Sequence, residues 1–134
     1  MRTSELTGAA LDWAVAKCEG EEVQMIKGQL ETRWTDNGWK PSTDWAQGGP
    51  IIERECITVS ALYAQKNPPS PEYAHGEWGA YIPCGVNSEA AGRGATPLIA
   101  AMRCYVASKL GDEVEIPNEL LDVVAAKPEE RNND

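Results

Sequence analysis

Residues 96–111 read TPLIAAMRCYVASKLG, and this run decides the fold. Leu98, Ile99, Met102, Tyr105, Val106 and Leu110 recur at helical spacing and cover one broad face. Thr96 offers an N-cap oxygen. Pro97 suits the first helical position, where its missing N–H would have had no partner within the helix. Lys109 complements the negative end of the helix dipole, and Gly111 marks the stop. So wide an apolar face needs a sheet or a second helix to cover it.

Working outward, ITVSALYA (57–64) alternates Ile57, Val59, Ala61 and Tyr63 against Thr58, Ser60 and Leu62, which is strand spacing. WGAYIPC (78–84) reads as a second strand. Residues 21–35 suggest two short strands around Lys27-Gly28, and Asn37-Gly38 in DNGW (36–39) forms a turn because it accepts positive φ at low cost. SELTGAALDWAVAKCE (4–19) predicts a helix capped by Ser4 or Thr7 and stopped by Gly20, with Trp13 in the core. The proline-rich stretch 65–77 and the small-residue stretch 85–95 read as loops, and IPNELL (116–121) as the start of a last short helix. The fold class is therefore α+β. A small, mainly antiparallel sheet, with 57–64 and 78–84 at its centre, packs against two or three helices in a single domain spanning residues 1–134. Residues 122–134 read as a flexible acidic tail.

The chain carries 21 acidic and 12 basic residues, a net charge of −9. That balance argues against duplex nucleic acid as a partner. Cysteines at 18, 56, 84 and 104 lack the close spacing of a zinc or redox motif, so small buried thiols in a reducing, cytosolic setting are expected. No run is long and apolar enough for a signal or a membrane span. Five Trp, four Tyr and no Phe tilt the chain towards half-buried walls and partner surfaces.

STDWAQGGPIIERE (42–55), TPLIAAMRCYVASKLG and the opening TSELTGAALDWAVAKCEG together resemble the NinX-like family of small proteins of tailed bacteriophages and prophages, a family without an assigned chemistry. The resemblance covers nearly the whole chain; the stretch 65–77 is the part least tied to its pattern. It implies a phage accessory protein made in the host bacterial cytoplasm, and it carries over no catalytic residues.

Two runs suggest a binding surface. In PSTDWAQGGPIIERE (41–55), Thr43, Asp44 and Gln47 supply donors and acceptors. Gly48 and Gly49 permit close backbone approach before a helix that starts at Pro50, Trp39 and Trp45 offer flat faces for stacking, and Arg54 can meet phosphate or pair with Glu53, Glu55 or Asp44. In RGATP (93–97), Arg93 and Gly94 lead to a helix start at Thr96 whose amides suit an anion, with Arg103 further along. The two runs are expected to form one site wall. The lysine of a nucleotide-binding P-loop is missing. His75 is the lone histidine and sits in the proline-rich stretch, Ser42 and Ser88 lack a nucleophile-elbow context, and no spacing suits a metal, so no catalytic residue, metal or cofactor is assigned. The expectation is a non-enzymatic binder of a small anionic, ring-bearing, nucleotide-like ligand. The alternatives are a module that inhibits or redirects a host protein, and a small nucleotide-modifying or hydrolytic enzyme. A site built between subunits and the Trp/Tyr enrichment predict a homodimer or higher assembly.

Overall fold

The computed structural model describes residues 1–26, 29–32, 38–61, 77–82, 90–118 and 120. The Lys27-Gly28 connection, Trp34, the Asp36-Asn37 half of the predicted turn, the strand end at 62–64, His75 with most of the proline-rich stretch, Cys84, Ser88 and the tail 122–134 lie outside the described residues.

The predicted C-terminal helix is the centre of the molecule. We number the helices α1 (Gly8–Glu19), α2 (Trp45–Glu55) and α3 (Pro97–Leu110), and the strands β1 (Gln24–Ile26), β2 (Gln29–Glu31), β3 (Thr58–Ala61), β4 (Trp78–Tyr81) and β5 (Ala91–Gly94). The strands form two small antiparallel sheets. β1 and β2 pair with Met25 opposite Leu30, and the order β3-β4-β5 makes a three-stranded meander. Val59 stands opposite Ala80, and Ala80 opposite Gly92. α3 lies against all three strands of the meander and also against α1 and α2. Its residues Leu98, Ala100, Ala101, Met102, Cys104, Tyr105 and Val106 are buried, so apolar contact surrounds most of the helix. Leu6, Leu11, Val15, Ile51 and Ala80 complete the core around it, with Trp13 partly buried at its edge. Burying Leu6, Leu11, Val15 and Ile51 stabilises the fold by about 1.5–3 kcal/mol each.

Helix ends follow local chemistry. The Thr96 hydroxyl accepts from Ile99 N at 3.1 Å. Gly20 ends α1 at φ 74°, the left-handed region that glycine enters without strain. Thr7 occupies the N-cap of α1 but makes no side-chain cap bond. Cys56 ends α2 at φ 56°, a left-handed position occupied by a residue with a Cβ, and it is exposed rather than buried. Cys18 is partly buried and Cys104 buried.

Two further sequence expectations, beyond the burial of Cys56, require correction. The helix expected to begin at Pro50 begins five residues earlier, at Trp45. The Asp44 carboxylate accepts from Ala46 N at 2.9 Å, and its carbonyl accepts from Gln47 N and Gly48 N, which starts the helix ahead of the two glycines. Pro50 then lies inside α2. The second correction is β5, expected as loop. A Cβ added at Gly92 would come within 2.5 Å of Cys104 N, and one added at Gly94 within 2.5 Å of the Ile99 side chain. The strand uses glycine because α3 lies directly on its backbone, so packing overrides low strand propensity.

Candidate functional site

The run 38–56 folds as a wrapped connection whose polar groups are largely used by the chain itself. The Gln47 side chain donates to Gly38 O at 2.9 Å and accepts from Lys40 N at 2.7 Å. The Thr43 hydroxyl donates to Lys40 O. Trp39 is partly buried against the core, and its Nε1 donates to Asp12 O at 2.8 Å. Asp12, buried at 5% exposure on α1, accepts from Ser42 N at 2.9 Å. Burial raises the Asp12 carboxyl to about 6, against the lowering effect of its hydrogen bonding to Ser42. The Ser42 hydroxyl is itself fully buried near this carboxylate, and among the described residues it has no partner of strict hydrogen-bond geometry. Gly48 rests against Pro41 O and the Leu98 side chain, where an added Cβ would stand 2.6 Å from Leu98 Cδ2. The start of α2 therefore abuts the start of α3. Trp45 is 56% exposed.

Arg54 stands at the far end of α2. It makes a two-pronged pair with Glu19 (2.5 and 3.1 Å), donates to Glu55 at 2.9 Å and to Tyr105 Oη at 3.1 Å. Tyr105 in turn donates to Glu19. Burial pulls the Glu19 carboxyl upward, but the hydrogen bonds from Arg54 and Tyr105 outweigh it and hold it below its usual range. This cluster joins the C-terminal turns of α1 and α2 to α3. Its donors and acceptors are committed to each other, which makes it a clamp between helices. Of the partners considered for Arg54 from sequence, Glu55 is found, and Glu19 is one that the sequence did not suggest.

The other run opens on a cleft of about 1060 Å³, just above the usual size range of small-molecule sites. β5 and α3 supply Arg93, Gly94 and Arg103, and β4 is preceded by Glu77 at the rim. The opposite wall is an N-terminal strap: Thr3 N donates to Asp112 O at 2.8 Å, Val114 N to Met1 O at 2.9 Å, and Arg2 bridges Glu113 in antiparallel fashion. The strap brings Arg2, Asp112 and Glu113 to the cleft.

Arg103 is the group that gives the cleft its character. Its Nε donates to Leu6 O at 2.9 Å and its Nη1 to Arg93 O at 2.6 Å, so two carbonyls fix the guanidinium. Among the described residues no carboxylate pairs with it. Burial accordingly lowers its affinity for the proton, with no opposing effect from an anion, although a guanidinium stays charged near neutral pH. Arg93 is different: 66% exposed, with Nη1 4.0 Å from Glu77.

Of the residues singled out in the sequence, the structure gathers Arg93, Gly94 and Arg103 in this cleft. Thr96 caps α3 beside it, while Thr43, Asp44, Gln47 and Gly48 build the α2 start and Arg54 the helix clamp. Trp39, Trp45 and Gly49 are not among the residues that line the cleft. Arg2, Glu77, Asp112 and Glu113 were missed. No local pattern announces that residue 2 pairs with residue 113, because that contact spans the chain. Among the described residues, no group of three or more His, Cys, Asp or Glu side chains could hold a metal ion, and no helix is long and apolar enough to cross a membrane.

No curated protein matches the chain. A family model described as Bacteriophage P22, NinX matches residues 2–109, a span that contains Arg2, Glu77, Arg93 and Arg103 and stops short of Asp112 and Glu113. With most of its length matched, and with the small α+β architecture expected from its sequence, the chain belongs to the NinX family of bacteriophage proteins.

Proposed function

We propose that this phage accessory protein is a non-enzymatic binder that sequesters a small anionic, nucleotide-like ligand in the cleft between β5, α3 and the N-terminal strap. A signal of host defence in the bacterial cytoplasm is the ligand class a phage gains by removing. The observation that carries the reading is Arg103, a partly buried cation held by two neutral carbonyls and lining a cleft of ligand size. A buried charge without a counter-charge is costly to keep, and an anion in the cleft would offset that cost. The carboxylates of Glu77, Asp112 and Glu113 add acceptors suited to hydroxyl and amino groups, which a nucleotide carries beside its phosphate. A net charge of −9 disfavours a polymer of phosphates and is tolerable for one small anion.

A second reading, a module that inhibits or redirects a host protein, is favoured by Trp45, which is 56% exposed on the outer side of α2. Native mass spectrometry of protein purified from infected or expressing cells separates the two. A retained small molecule supports sequestration, a retained host protein supports the module, and a retained molecule converted over time to a product would establish an enzyme instead.

A further inference from the structure

We propose that the cleft is built for a singly charged phosphate, a phosphodiester rather than a terminal mono- or polyphosphate, with Arg103 as the residue that takes its charge. The inference rests on the anionic-ligand reading and narrows it through the pairing of charges in the cleft. Arg93 has Glu77 at 4.0 Å. Arg2 stands directly opposite Glu113 in the antiparallel bridge, which puts their side chains on one face, with Cβ atoms about 5 Å apart. Arg93 thus stands at the outer limit of an ion pair, and the exposed Arg2 faces Glu113 across the bridge without an ion pair among the described residues; each couple still sums to zero in formal charge. Arg103, by contrast, is held by neutral carbonyls and, among the described residues, by no carboxylate. Asp112 is the remaining carboxylate, exposed on the strap and screened by water.

One negative charge on the ligand finds Arg103. Among the described residues, carbonyls use two of the five guanidinium N–H donors, which leaves the second Nη1 hydrogen and the Nη2 group for the two non-bridging oxygens of a diester. A second or third negative charge finds only the exposed Arg2 and Arg93, each with a carboxylate near it, and sits among Glu77, Asp112 and Glu113, where like charges repel. A diester also leaves both of its ester substituents to fill a cleft much larger than a phosphate.

The test is a titration of the full-length protein followed through the Arg103 guanidinium signal in nitrogen–proton NMR, assigned with Arg103→Lys. Dimethyl phosphate, methyl phosphate and pyrophosphate carry increasing charge and are compared at constant ionic strength and pH 8. We expect dimethyl phosphate to move the Arg103 signal half-way at a concentration at least about 3-fold below that for pyrophosphate. Glu77→Gln, which removes one rim carboxylate, should narrow that gap. Pyrophosphate binding as well as dimethyl phosphate, or better, overturns the inference and leaves the anion-binding reading standing. No response of Arg103 to any of the three overturns both.

Discussion

Asp12→Asn should stabilise the protein at neutral pH. Asp12 is buried on α1 and accepts from the Ser42 amide, and burial raises its carboxyl from 3.8 to about 6. A carboxyl with a raised folded-state value binds more protons in the folded chain than in the unfolded one between pH 4 and 6. Its contribution is therefore fully present below pH 4 and is lost as pH rises through 6. At about 1.4 kcal/mol for each pH unit separating the two values, the charged form at pH 7.5 destabilises the fold by about 3 kcal/mol relative to the protonated form. Asn keeps an oxygen acceptor for the Ser42 amide, adds an NH₂ donor beside the buried Ser42 hydroxyl, and cannot ionise. The expected gain at pH 7.5 is about 2–3 kcal/mol, or roughly 6–12 °C in Tm, shrinking towards zero at pH 4. Urea unfolding at a series of pH values, read by tryptophan fluorescence, measures it. Equal pH slopes for Asp12→Asn and wild type, or a loss of stability at pH 7.5, would refute the reasoning.

Gly92→Ala should destabilise by about 3 kcal/mol or more, because its Cβ would press into the α3 backbone, whereas Gly49→Ala, with only Trp45 Cε3 at 3.9 Å, should gain up to about 1 kcal/mol of helix propensity; thermal melts of the two variants compare them. Trp45→Ala should leave the fold intact and change stability by less than about 1 kcal/mol, since the side chain is 56% exposed; a collapsed circular dichroism spectrum would instead make Trp45 architectural. Light scattering at micromolar concentration should show a dimer or larger species, and a mass of 14.6 kDa would remove the oligomer expectation.

What the sequence revealed tracks the range of the interactions involved. α3 was legible from end to end because its cap, first proline, apolar face and stop are all local signals. α1 and strands β1 to β4 were legible for the same reason. Pro50 misled the reading of α2: a proline is a good first helical residue, but the Asp44 cap and the packing of Gly48 on Leu98 start the helix earlier. β5 was hidden because Gly92 and Gly94 read as loop until the helix lying on them is known. The cleft was half legible. Arg93, Gly94 and Arg103 belong to one continuous stretch, but the opposite wall comes from residues 2 and 112–113, which only the folded chain brings together. The polar run around Asp44 has binding-type composition, and its hydrogen bonds show most of that composition used for wrapping one connection onto α1 and α3.

The central claim is that Arg103 holds the charge of a bound small molecule. Its most direct test is calorimetric titration of the molecule eluted from wild-type protein into Arg103→Gln and Trp45→Ala, with circular dichroism confirming that both are folded. Loss of a charged hydrogen bond is worth about 1.5–3 kcal/mol, so Arg103→Gln should bind about 10- to 150-fold more weakly, and Trp45→Ala within about 3-fold of wild type. Wild-type affinity in a folded Arg103→Gln protein would contradict the account.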